Sequence, residues 1–443
     1  MTNNFLLTTK TAVKLYQYVE KLPLIDWHNH LSVEDLAADR HYANATQLWN
    51  VSDPYKHRAM RICGVPENLI TGNCSDEEKF LAWSATVPKL IGNPLYHWVQ
   101  LELHRYFGID EELNETSAHR IWNLMNSKLQ EPGFSARSFL QLANVEYAAP
   151  CVSIFNDIAA FPDISGIVPS FRGDDLLNPD QKVCDRLSSI LGQPVTDLSS
   201  FRKAVGIFLD LLHARGCRFS DHALDNGFSY AAGGHAESLP VGKAGVTLKS
   251  EILQILGEEY AQRNWTVQLH IGAQRNTSVR LRKAAGPAGG FAGIGHTCDI
   301  ASLCRMLNDW EQSVAGLPDV ILYTLNPGDH AALANLSGSF PGDSVCGKVQ
   351  LGPAWWYCDH IHGMRDCFEM TAAYGVLSVF KGMTTDSRSL LSFVRHEYFR
   401  RTLCNWVAEK VESGEFPNNM EHLVQLVSDI CYYNIKKHIE GKK

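Results

Sequence analysis

Eight short apolar runs of strand type recur along the chain, and helical patterns separate most of them. The runs are Ile25–His30, Tyr147–Val152, Gly166–Phe171, Cys217–Asp221, Thr266–His270, Val320–Leu325, Lys348–Leu351 and Leu377–Met383. Strands that alternate with helices form parallel sheets, and eight strands are the number that closes a (β/α)8 barrel. The pattern therefore predicts an α/β fold of the TIM-barrel type. A doubly wound open sheet is the alternative that the same pattern leaves open.

The stretch between the first two runs differs in character from the rest of the chain. Residues 32–141 contain helix-forming patches, many aromatic residues and turn signals, which predicts a helical insertion packed against the barrel. We therefore divide the chain into residues 1–31 (an N-terminal helix and the first strand), 32–141 (the insertion) and 142–443 (the remainder of the barrel). Other helices are predicted over Thr9–Lys21, Ser199–Arg215, Thr247–Arg263, Asp299–Glu311, Asp329–Ser337, Gly363–Tyr374 and Ser389–Val411. The glycine-rich residues 226–243 are predicted to form a surface loop or a mobile flap.

Composition excludes several classes of protein. The 443 residues are 45% hydrophobic and 20% charged, which supplies a large core and excludes intrinsic disorder. A formal net charge of −8 argues against nucleic acid or an anionic membrane as the main partner. No apolar stretch reaches the ~18 residues of a membrane span, and the N-terminus lacks the pattern of a secretory signal. The twelve cysteines contain no CxxC pair, so we expect reduced thiols and a cytoplasmic location.

Two histidines mark the end of the first run. His28 and His30 are two positions apart, and because side chains alternate along a strand, both imidazoles lie on one face, where they could bind one divalent metal ion. Asp26 shares that alternation and is expected to orient the two rings. The spacing alone is a weak signal, because His360 and His362 repeat it elsewhere. Histidines with a structural or surface role are the alternative.

Two later strand ends strengthen the metal hypothesis. His270 ends the fifth run, and Asp386 follows the eighth. The carboxyl ends of all strands meet at one rim of a barrel, so these side chains would join the two histidines in a site for Zn²⁺ or Mn²⁺. For Asp386 the alternative role is to cap the helix that follows it.

Cationic and aromatic side chains are predicted at the same rim. Arg172, Arg275 and Arg388 follow strand runs, and arginines that converge on a metal pocket indicate an anionic substrate such as a carboxylate. Surface ion pairs are the alternative for each of them. Trp355 and Trp356 offer a flat wall for a sugar ring, or they pack in the core. The residues by themselves indicate a metal-dependent barrel enzyme acting on a small polar anion, with hydrolase and isomerase both open.

Several long strings resemble those of the uronate isomerase (glucuronate isomerase) family, within the amidohydrolase superfamily. They include DWHNHLS, YKHRAM, GCRFSDHALD, HIGAQRN, GPAWWYCD and GMTTDSRSLLSFVRHEYFRRTLCN, and the matches run almost end to end. The resemblance implies a distorted (β/α)8 barrel with a helical insertion after the first strand, and a homo-oligomer. It also implies an aldose–ketose isomerase of hexuronate catabolism. Such an enzyme would convert D-glucuronate to D-fructuronate, and D-galacturonate to D-tagaturonate, through a cis-enediol.

The same resemblance implies roles for individual residues. Asp386, or a metal-bound water that it activates, would shuttle the proton between C2 and C1 of the sugar, and Tyr55 is the other candidate general acid/base. Arg172 would hold the substrate carboxylate, and Arg388 would support an enediolate oxygen or a hydroxyl. The implied ligands of one divalent metal ion, Zn²⁺ before Mn²⁺ or Fe²⁺, are His28, His30, Asp386 and, as a further ligand, His270.

Three departures from the family pattern bear on substrate preference. The stretch APCVSIFND replaces an acidic Thr-Thr-Asp-Asp-Pro-like string, Pro54 stands where relatives commonly have His, and Phe171 stands where they have Trp. A metal-dependent hydrolase or lactonase acting on a sugar acid is the enzymatic alternative. The string RFSDHALD lacks the Lys that bridges two metal ions in most binuclear relatives, which favours one ion and isomerisation. A sugar-acid-binding protein with a decayed site is the non-enzymatic alternative, and the intact HxH and TDSR segments oppose it.

Overall fold

Among the residues that the structure describes, seven parallel strands hydrogen-bond side by side in one sheet, in the order in which they follow along the chain. They are β1 (Leu24–Asn29), β2 (Val145–Val152), β3 (Ser170–Arg172), β4 (Phe219–Leu224), β5 (Thr266–Ile271), β8 (Asp319–Thr324) and β9 (Val349–Leu351). Two short antiparallel strands, β6 (Ala273–Gln274) and β7 (Gly293–Ile294), pair outside this sheet. The order of a doubly wound sheet reverses near its middle, so the observed order confirms the barrel prediction and excludes that alternative.

The coordinates are a computed structural model that describes residues 4–231, 239 and 245–442. Seven of the eight predicted strands are present, with ends shifted by a few residues. Most of the predicted loop or flap over residues 226–243 lies outside the described residues. Among the helices that are described, none is long and apolar enough to cross a membrane.

The prediction of an eighth strand over Leu377–Met383 is wrong. The run starts with a 3-10 turn, and regular pairing is then lost because Gly382 and, beyond the run, Asp386 take φ angles of +83° and +47°. The chain nevertheless lies beside β1, where the backbone N–H of Asp386 donates to the carbonyl of His28 at 3.0 Å. The backbone N–H of His30 donates to the carbonyl of Ser387 at 2.8 Å. The irregular segment 380–388 therefore completes the wall of the barrel next to β1.

Seven α-helices lie between β1 and β2 and form the predicted insertion. They are α2 (Val33–Ala37), α3 (Ala45–Trp49), α4 (Pro54–Ile62), α5 (Asp76–Thr86), α6 (Pro94–Glu102), α7 (Ala118–Leu129) and α8 (Ala136–Leu142). Polar caps start them: Asn44, Ser75 and Asn93 each accept a backbone N–H of the first helical turn. Buried aromatic rings of Trp49 and Trp83 join the insertion to the main hydrophobic core. The domain boundaries after residues 31 and 141 stay predictions.

The remaining helices precede β1 or follow the later strands. They are α1 (Lys10–Val19), α9 (Gln181–Leu191), α10 (Leu198–Ala214), α11 (Val246–Gln262), α12 (Val279–Ala285), α13 (Ile300–Gln312), α14 (His330–Ser339), α15 (Ile361–Tyr374), α16 (Val394–Glu412), α17 (Met420–Ser428) and α18 (Asn434–Glu440). All seven helices predicted outside the insertion are present, whereas α9, α12, α17 and α18 were not predicted. π-helical turns, Leu103–Phe107 and Asp429–Tyr433, extend α6 and α17.

The C-terminal helix α18 covers the amino-terminal end of the barrel. Asp319, the first residue of β8, is 4% exposed and binds the ammonium of Lys442. A second ammonium, that of Lys348, lies 3.0 Å from the same carboxylate. The ring of His438 on α18 bonds to the hydroxyl of Thr266, the first residue of β5, at 2.7 Å. This polar cluster fastens the end of the chain to the starts of two strands.

Candidate active site

His28, His30 and Asp386 converge at the carboxyl-terminal end of the barrel. Oδ1 of Asp386 lies 3.1 Å from Nε2 of His28 and 3.0 Å from Nε2 of His30. His28 is fully buried, whereas His30 and Asp386 line a cavity. The left-handed backbone of Asp386 is uncommon for a non-glycine residue, and such strain concentrates at functional sites.

The charges of these three groups depend on one another. Burial lowers the pKa of His28, but Cys151 and Asp386 outweigh it and hold the pKa well above its ordinary value. Burial also lowers the pKa of His30, but Cys151 and Asp386 again outweigh it and raise that pKa to about 8. Burial would raise the pKa of Asp386, yet close contact with the two imidazoles and their charge hold it well below its usual range. The cluster thus gathers positive charge around one carboxylate, and a metal cation would take the place of the imidazole protons.

The donor set fits a divalent metal ion. Nε2 of His28 is buried, and its 3.1 Å contact with Oδ1 of Asp386 lacks hydrogen-bond geometry; the described residues give it no other partner. Imidazole nitrogens and a carboxylate oxygen are ligands that Zn²⁺ accepts, and their separations of 3.0 and 3.1 Å leave them close enough to share one ion. The observations therefore support a metal ion at this point of the barrel.

His270 lies on the inner side of the same cluster. Its ring centroid is 4.6 Å from that of His28, and it stacks on Tyr323 at 4.5 Å. Burial, with the charge of His28, holds the pKa of His270 well below its usual value, so the ring is neutral. Within the described part of the chain, neither of its nitrogens has a hydrogen-bond partner. His28, Asp221 and His270 offer ligand atoms within 4.8 Å of one another. The assignment of His270 as a further ligand of the ion stays a prediction.

Asp26 does not orient the histidines as predicted. Within the described residues, its carboxylate bonds instead to the segment that carries Asp386. It accepts the hydroxyl of Thr384 at 2.8 Å, and the backbone N–H and hydroxyl of Thr385 at 2.6 and 2.8 Å. The reason is that the irregular segment approaches β1 closely and offers these donors to the buried carboxylate. Asp26 therefore anchors the loop of Asp386 to β1.

Two polar residues of the cluster, Cys151 and Asp221, were not predicted from the sequence. The Sγ of Cys151, near the end of β2, lies 3.5 Å from Nδ1 of His28 and 3.5 Å from Oδ1 of Asp221. Ligand atoms of His28, His30 and Cys151 lie within 4.8 Å of one another. The rule that strand ends carry the chemistry would have found Cys151, because APCV ends the second run just as His30 ends the first.

The three predicted arginines all line the cavity, but their surroundings differ. Arg172 pairs with Asp174 at 2.8 Å and with the buried Asp221 at 3.2 Å. Arg275 pairs with Asp225 at 2.8 Å and lies over the ring of Trp356. Arg388 is exposed at the cavity wall. Its charge is the least compensated of the three, because the described residues give it no acidic partner.

Tyr55, at the start of α4, lines the cavity opposite the barrel. Burial holds its pKa well above the ordinary value against the opposing charge of Arg395, so the phenol keeps its proton at neutral pH. The guanidinium of Arg395 lies 5.4 Å from the Tyr55 ring, donates to the carbonyl of Thr385 and pairs with Asp359 at 3.0 Å. One buried cation thus fixes both Tyr55 and the segment of Asp386.

The two tryptophans after β9 differ in their contacts. Nε1 of Trp355 donates to Oδ2 of Asp386 at 2.5 Å, and its ring packs on His270 with centroids 4.7 Å apart. Trp356 is half-buried, takes a φ of +50° and stacks on Tyr357. Both line the cavity, so neither is confined to the core. Trp355 orients the carboxylate of Asp386, which the sequence did not predict.

These groups surround a cavity of about 330 Å³, within the size range of small-molecule sites. Its walls include every predicted site residue except His28, which is buried behind them: His30, Tyr55, Arg172, His270, Arg275, Trp355, Trp356, Asp386 and Arg388. The second HxH motif is structural, because Nδ1 of His360 caps α15 by accepting the backbone N–H of Gly363. A polar, cationic cavity next to a possible metal site suits a small anionic substrate.

Comparison with known proteins places the chain among sugar-acid isomerases. A family model described as glucuronate isomerase matches residues 1–439. The chain belongs to the glucuronate isomerase family. It is 40% identical to a uronate isomerase of Caldanaerobacter subterraneus subsp. tengcongensis, with 99% of each chain covered. It is 41% identical to a uronate isomerase of Salmonella paratyphi A, over 100% of this chain and 99% of that one.

A solved structure supports the same relationship. The uronate isomerase of Thermotoga maritima superimposes with a TM-score of 0.90 at 28% identity, and 99% of each chain is covered. The similarity therefore spans the insertion, the barrel and the C-terminal helices, and the resemblance seen in the sequence is confirmed.

Proposed function

We propose that the protein is a hexuronate isomerase that converts D-glucuronate to D-fructuronate and D-galacturonate to D-tagaturonate. The observation that carries this proposal is the cavity in which Asp386, the imidazoles of His30 and His270 and the neutral Tyr55 phenol face a group of arginines. Such a substrate brings a carboxylate for the arginines and two adjacent oxygens, on C1 and C2, for the polar cluster. Family membership over residues 1–439 supports the reaction class.

The ion that we propose is one divalent metal ion, Zn²⁺ before Mn²⁺ or Fe²⁺. His28, His30 and Asp386 would hold it, with His270 as a further ligand. Bound there, such an ion supplies Lewis-acid stabilisation of negative charge on the substrate oxygens. Within the described residues, Nε2 of His28 and both nitrogens of His270 are buried without a hydrogen bond, which supports this assignment.

The chain provides an acid and a base whose pKa values are shifted apart. The pKa of Asp386 is held low, so the group is an ionised carboxylate, while the raised pKa of Tyr55 keeps a proton on the phenol. We assign the removal of the C2 proton and its delivery to C1 to Asp386, on one face of a cis-enediol. Tyr55 would donate its proton to the carbonyl oxygen and take one back from the neighbouring hydroxyl. Two titratable groups in opposite states are the usual requirement for such an exchange.

The arginines would divide the binding of the anion. The family resemblance gives the substrate carboxylate to Arg172 and an enediolate oxygen to Arg388. Two carboxylates already surround Arg172, so Arg388 contributes more net attraction for an incoming anion. Replacing Arg388 by Met should therefore raise KM more than replacing Arg172 by Met. Arg275, Trp355 and Trp356 would form the remaining wall against the sugar.

The experiment combines chelation with a site variant. Chelator-treated protein should lose turnover of both uronates and regain it when Zn²⁺ or Mn²⁺ is added back. Asp386→Asn should lose turnover and metal affinity together, whereas the exposed control Asp343→Asn should keep both. Full activity and full metal content in Asp386→Asn would refute the assignment of this residue.

A metal-dependent lactonase or other hydrolase is the second candidate function. The group of His28, Asp221 and His270 offers ligands for another ion beside the first, as in binuclear hydrolases. Arg172, 3.2 Å from Asp221, opposes a second cation there. Metal analysis decides between the two functions, because one ion per chain favours isomerisation and two ions favour hydrolysis.

We also propose that the protein is cytoplasmic and forms a homo-oligomer. All twelve cysteines lie within the described residues and are free thiols, as expected in a reducing compartment. Large apolar side chains such as Ile62 and Ile91, 75% and 76% exposed on the insertion, are available for self-association. Analytical ultracentrifugation tests the oligomer: a single species with the mass of one chain would refute it.

A further inference from the structure

We propose that Cys151 is a positioning residue, which holds His28 in the orientation and tautomer needed at the metal site and connects that site to Arg172. This inference rests on the proposed metal site. It assigns a role to a residue that lies in one of the departures from the family pattern, the stretch APCVSIFND.

The two ring nitrogens of His28 face different partners. Nε2 lies 3.1 Å from Oδ1 of Asp386, on the cavity side. Nδ1 lies 3.5 Å from Sγ of Cys151, a distance within the range of hydrogen bonds to sulfur. A histidine that binds a metal through one nitrogen commonly gives its other N–H to a carboxylate or carbonyl, which fixes the ring. Here a thiol occupies the position of that orienting group.

If Nε2 of His28 binds the metal ion, Nδ1 carries the ring proton, and the hydrogen bonds then have one consistent direction. The thiol has a single proton, and its geometry makes it the donor to Oδ1 of Asp221 at 3.5 Å. Its sulfur lone pairs are then free to accept the Nδ1–H of His28. Oδ2 of Asp221 in turn lies 3.2 Å from Nη1 of Arg172. Each donor in this chain of contacts, from the His28 ring to the Arg172 guanidinium, then has an acceptor. The remaining lone pair of His28, on Nε2, is directed at the metal site.

The strands hold this chain in register. Cys151 on β2 is paired with Ser170 on β3, and Arg172 on β3 is paired with Asp221 on β4. His28 and Asp221 are fully buried and Cys151 is half-buried, so water can reach the weak bonds to sulfur only from the Cys151 side. If the Arg172 guanidinium moved towards a substrate carboxylate, its contact with Asp221 would change. The bonds from Asp221 to Cys151 and from Cys151 to His28 would then change in turn. The geometry therefore links anion binding to the metal site through three side chains.

The test measures metal affinity without turnover. Zn²⁺ dissociation constants of wild type, Cys151→Ala, Cys151→Ser and the control Cys304→Ala, on α13, are determined by competition with a chromophoric chelator at one pH. Removing an orienting partner of this kind weakens metal binding by about 10- to 100-fold, so Cys151→Ala should show a loss of that size. Cys151→Ser keeps a donor and an acceptor on a shorter side chain and should lie between Ala and wild type. Cys304→Ala should match wild type.

A spectroscopic readout separates positioning from direct ligation. Co²⁺-loaded wild type should show the visible ligand-field bands without a thiolate-to-cobalt charge-transfer band, because Sγ bonds to the ring and not to the ion. A charge-transfer band that Cys151→Ala removes would overturn the proposal, and so would unchanged Zn²⁺ affinity in both Cys151 variants. If neither uronate is turned over but the affinity loss is observed, the proposed function fails and this inference stands.

Discussion

Replacing Asp359 by Asn tests how burial controls charge next to the candidate active site. Asp359 is 3% exposed, and its Oδ2 lies 3.0 Å from Nη1 of the buried Arg395. Among the described residues, its Oδ1 has no hydrogen-bond partner. Burial raises the pKa of Asp359 to about 6, although Arg395 opposes the shift, and the charge of Asp386 adds to it. An asparagine has nearly the same shape and carries no titrating proton.

The raised pKa has a defined effect on stability. The folded-state pKa is about 6, and an unfolded aspartate titrates near ~3.9, a difference of about 2 units or about 3 kcal/mol. A folded state that binds a proton more tightly is favoured at low pH. The contribution is complete below about pH 4 and is lost as the pH rises through 6. Between pH 4.5 and pH 8, wild type should lose about 2 kcal/mol of unfolding free energy relative to Asp359→Asn.

The assay is urea denaturation of both proteins, after chelation, at pH values from 4.5 to 8 and followed by tryptophan fluorescence. Loss of the ion pair with Arg395 adds only a constant offset, because Asn is neutral at every pH. The predicted result is a difference between the two proteins that moves in favour of the variant as the pH rises and levels off above pH 7. Parallel curves, or a difference that moves the other way, would refute the reasoning that burial outweighs Arg395 at this site.

Two further substitutions test other contacts. Replacing Asp319 by Asn should lower the free energy of unfolding by at least about 2 kcal/mol at pH 7, because lysines hold the pKa of this buried carboxyl at about 2 against the effect of burial. The loss should shrink below pH 4, where the wild-type carboxyl takes up a proton. An equal loss at pH 7 and pH 3 in urea titrations would contradict this. Replacing Trp355 by Phe keeps the contact with His270 but removes the donor to Asp386, so kcat should fall about 10-fold or more when the metal site is kept saturated. Steady-state kinetics, with metal analysis to establish saturation, check this effect, and an unaltered kcat would argue against an orienting role.

Local patterns favoured the barrel over an open sheet and indicated the centre of its site. Strand runs that alternate with helical ones indicate the topology, and His28, His30 and His270 could be placed because strand ends meet at one rim, whereas Asp386 follows a run that forms no strand. The same rule, applied to the second run, would also have reached Cys151. These features depend on sequence-local periodicity, which a single chain displays directly.

Features that depend on contacts between distant segments could not be predicted. The sequence of the last wall segment, residues 380–388, continues a run with the pattern of a strand. Gly382, however, lies so close to the C-terminal helices that an added Cβ would be 2.1 Å from the carbonyl oxygen of Ile430. Asp26 bonds to Thr384 and Thr385, more than 350 residues later in the chain, and no spacing in the sequence indicates that partnership. The pairing of Arg172 with Asp221 likewise depends on the register of two strands.

Turnover of both uronates in deuterated water is the decisive test of hexuronate isomerisation. Metal-loaded protein is incubated with D-glucuronate and with D-galacturonate in D₂O, and the products are followed by NMR. We expect the corresponding ketoses to form, with deuterium at C1 to the extent that the proton carried by Asp386 exchanges with solvent, and we expect chelation to stop both reactions. Absence of any ketose from either uronate, with metal bound to the protein, would contradict the proposed function.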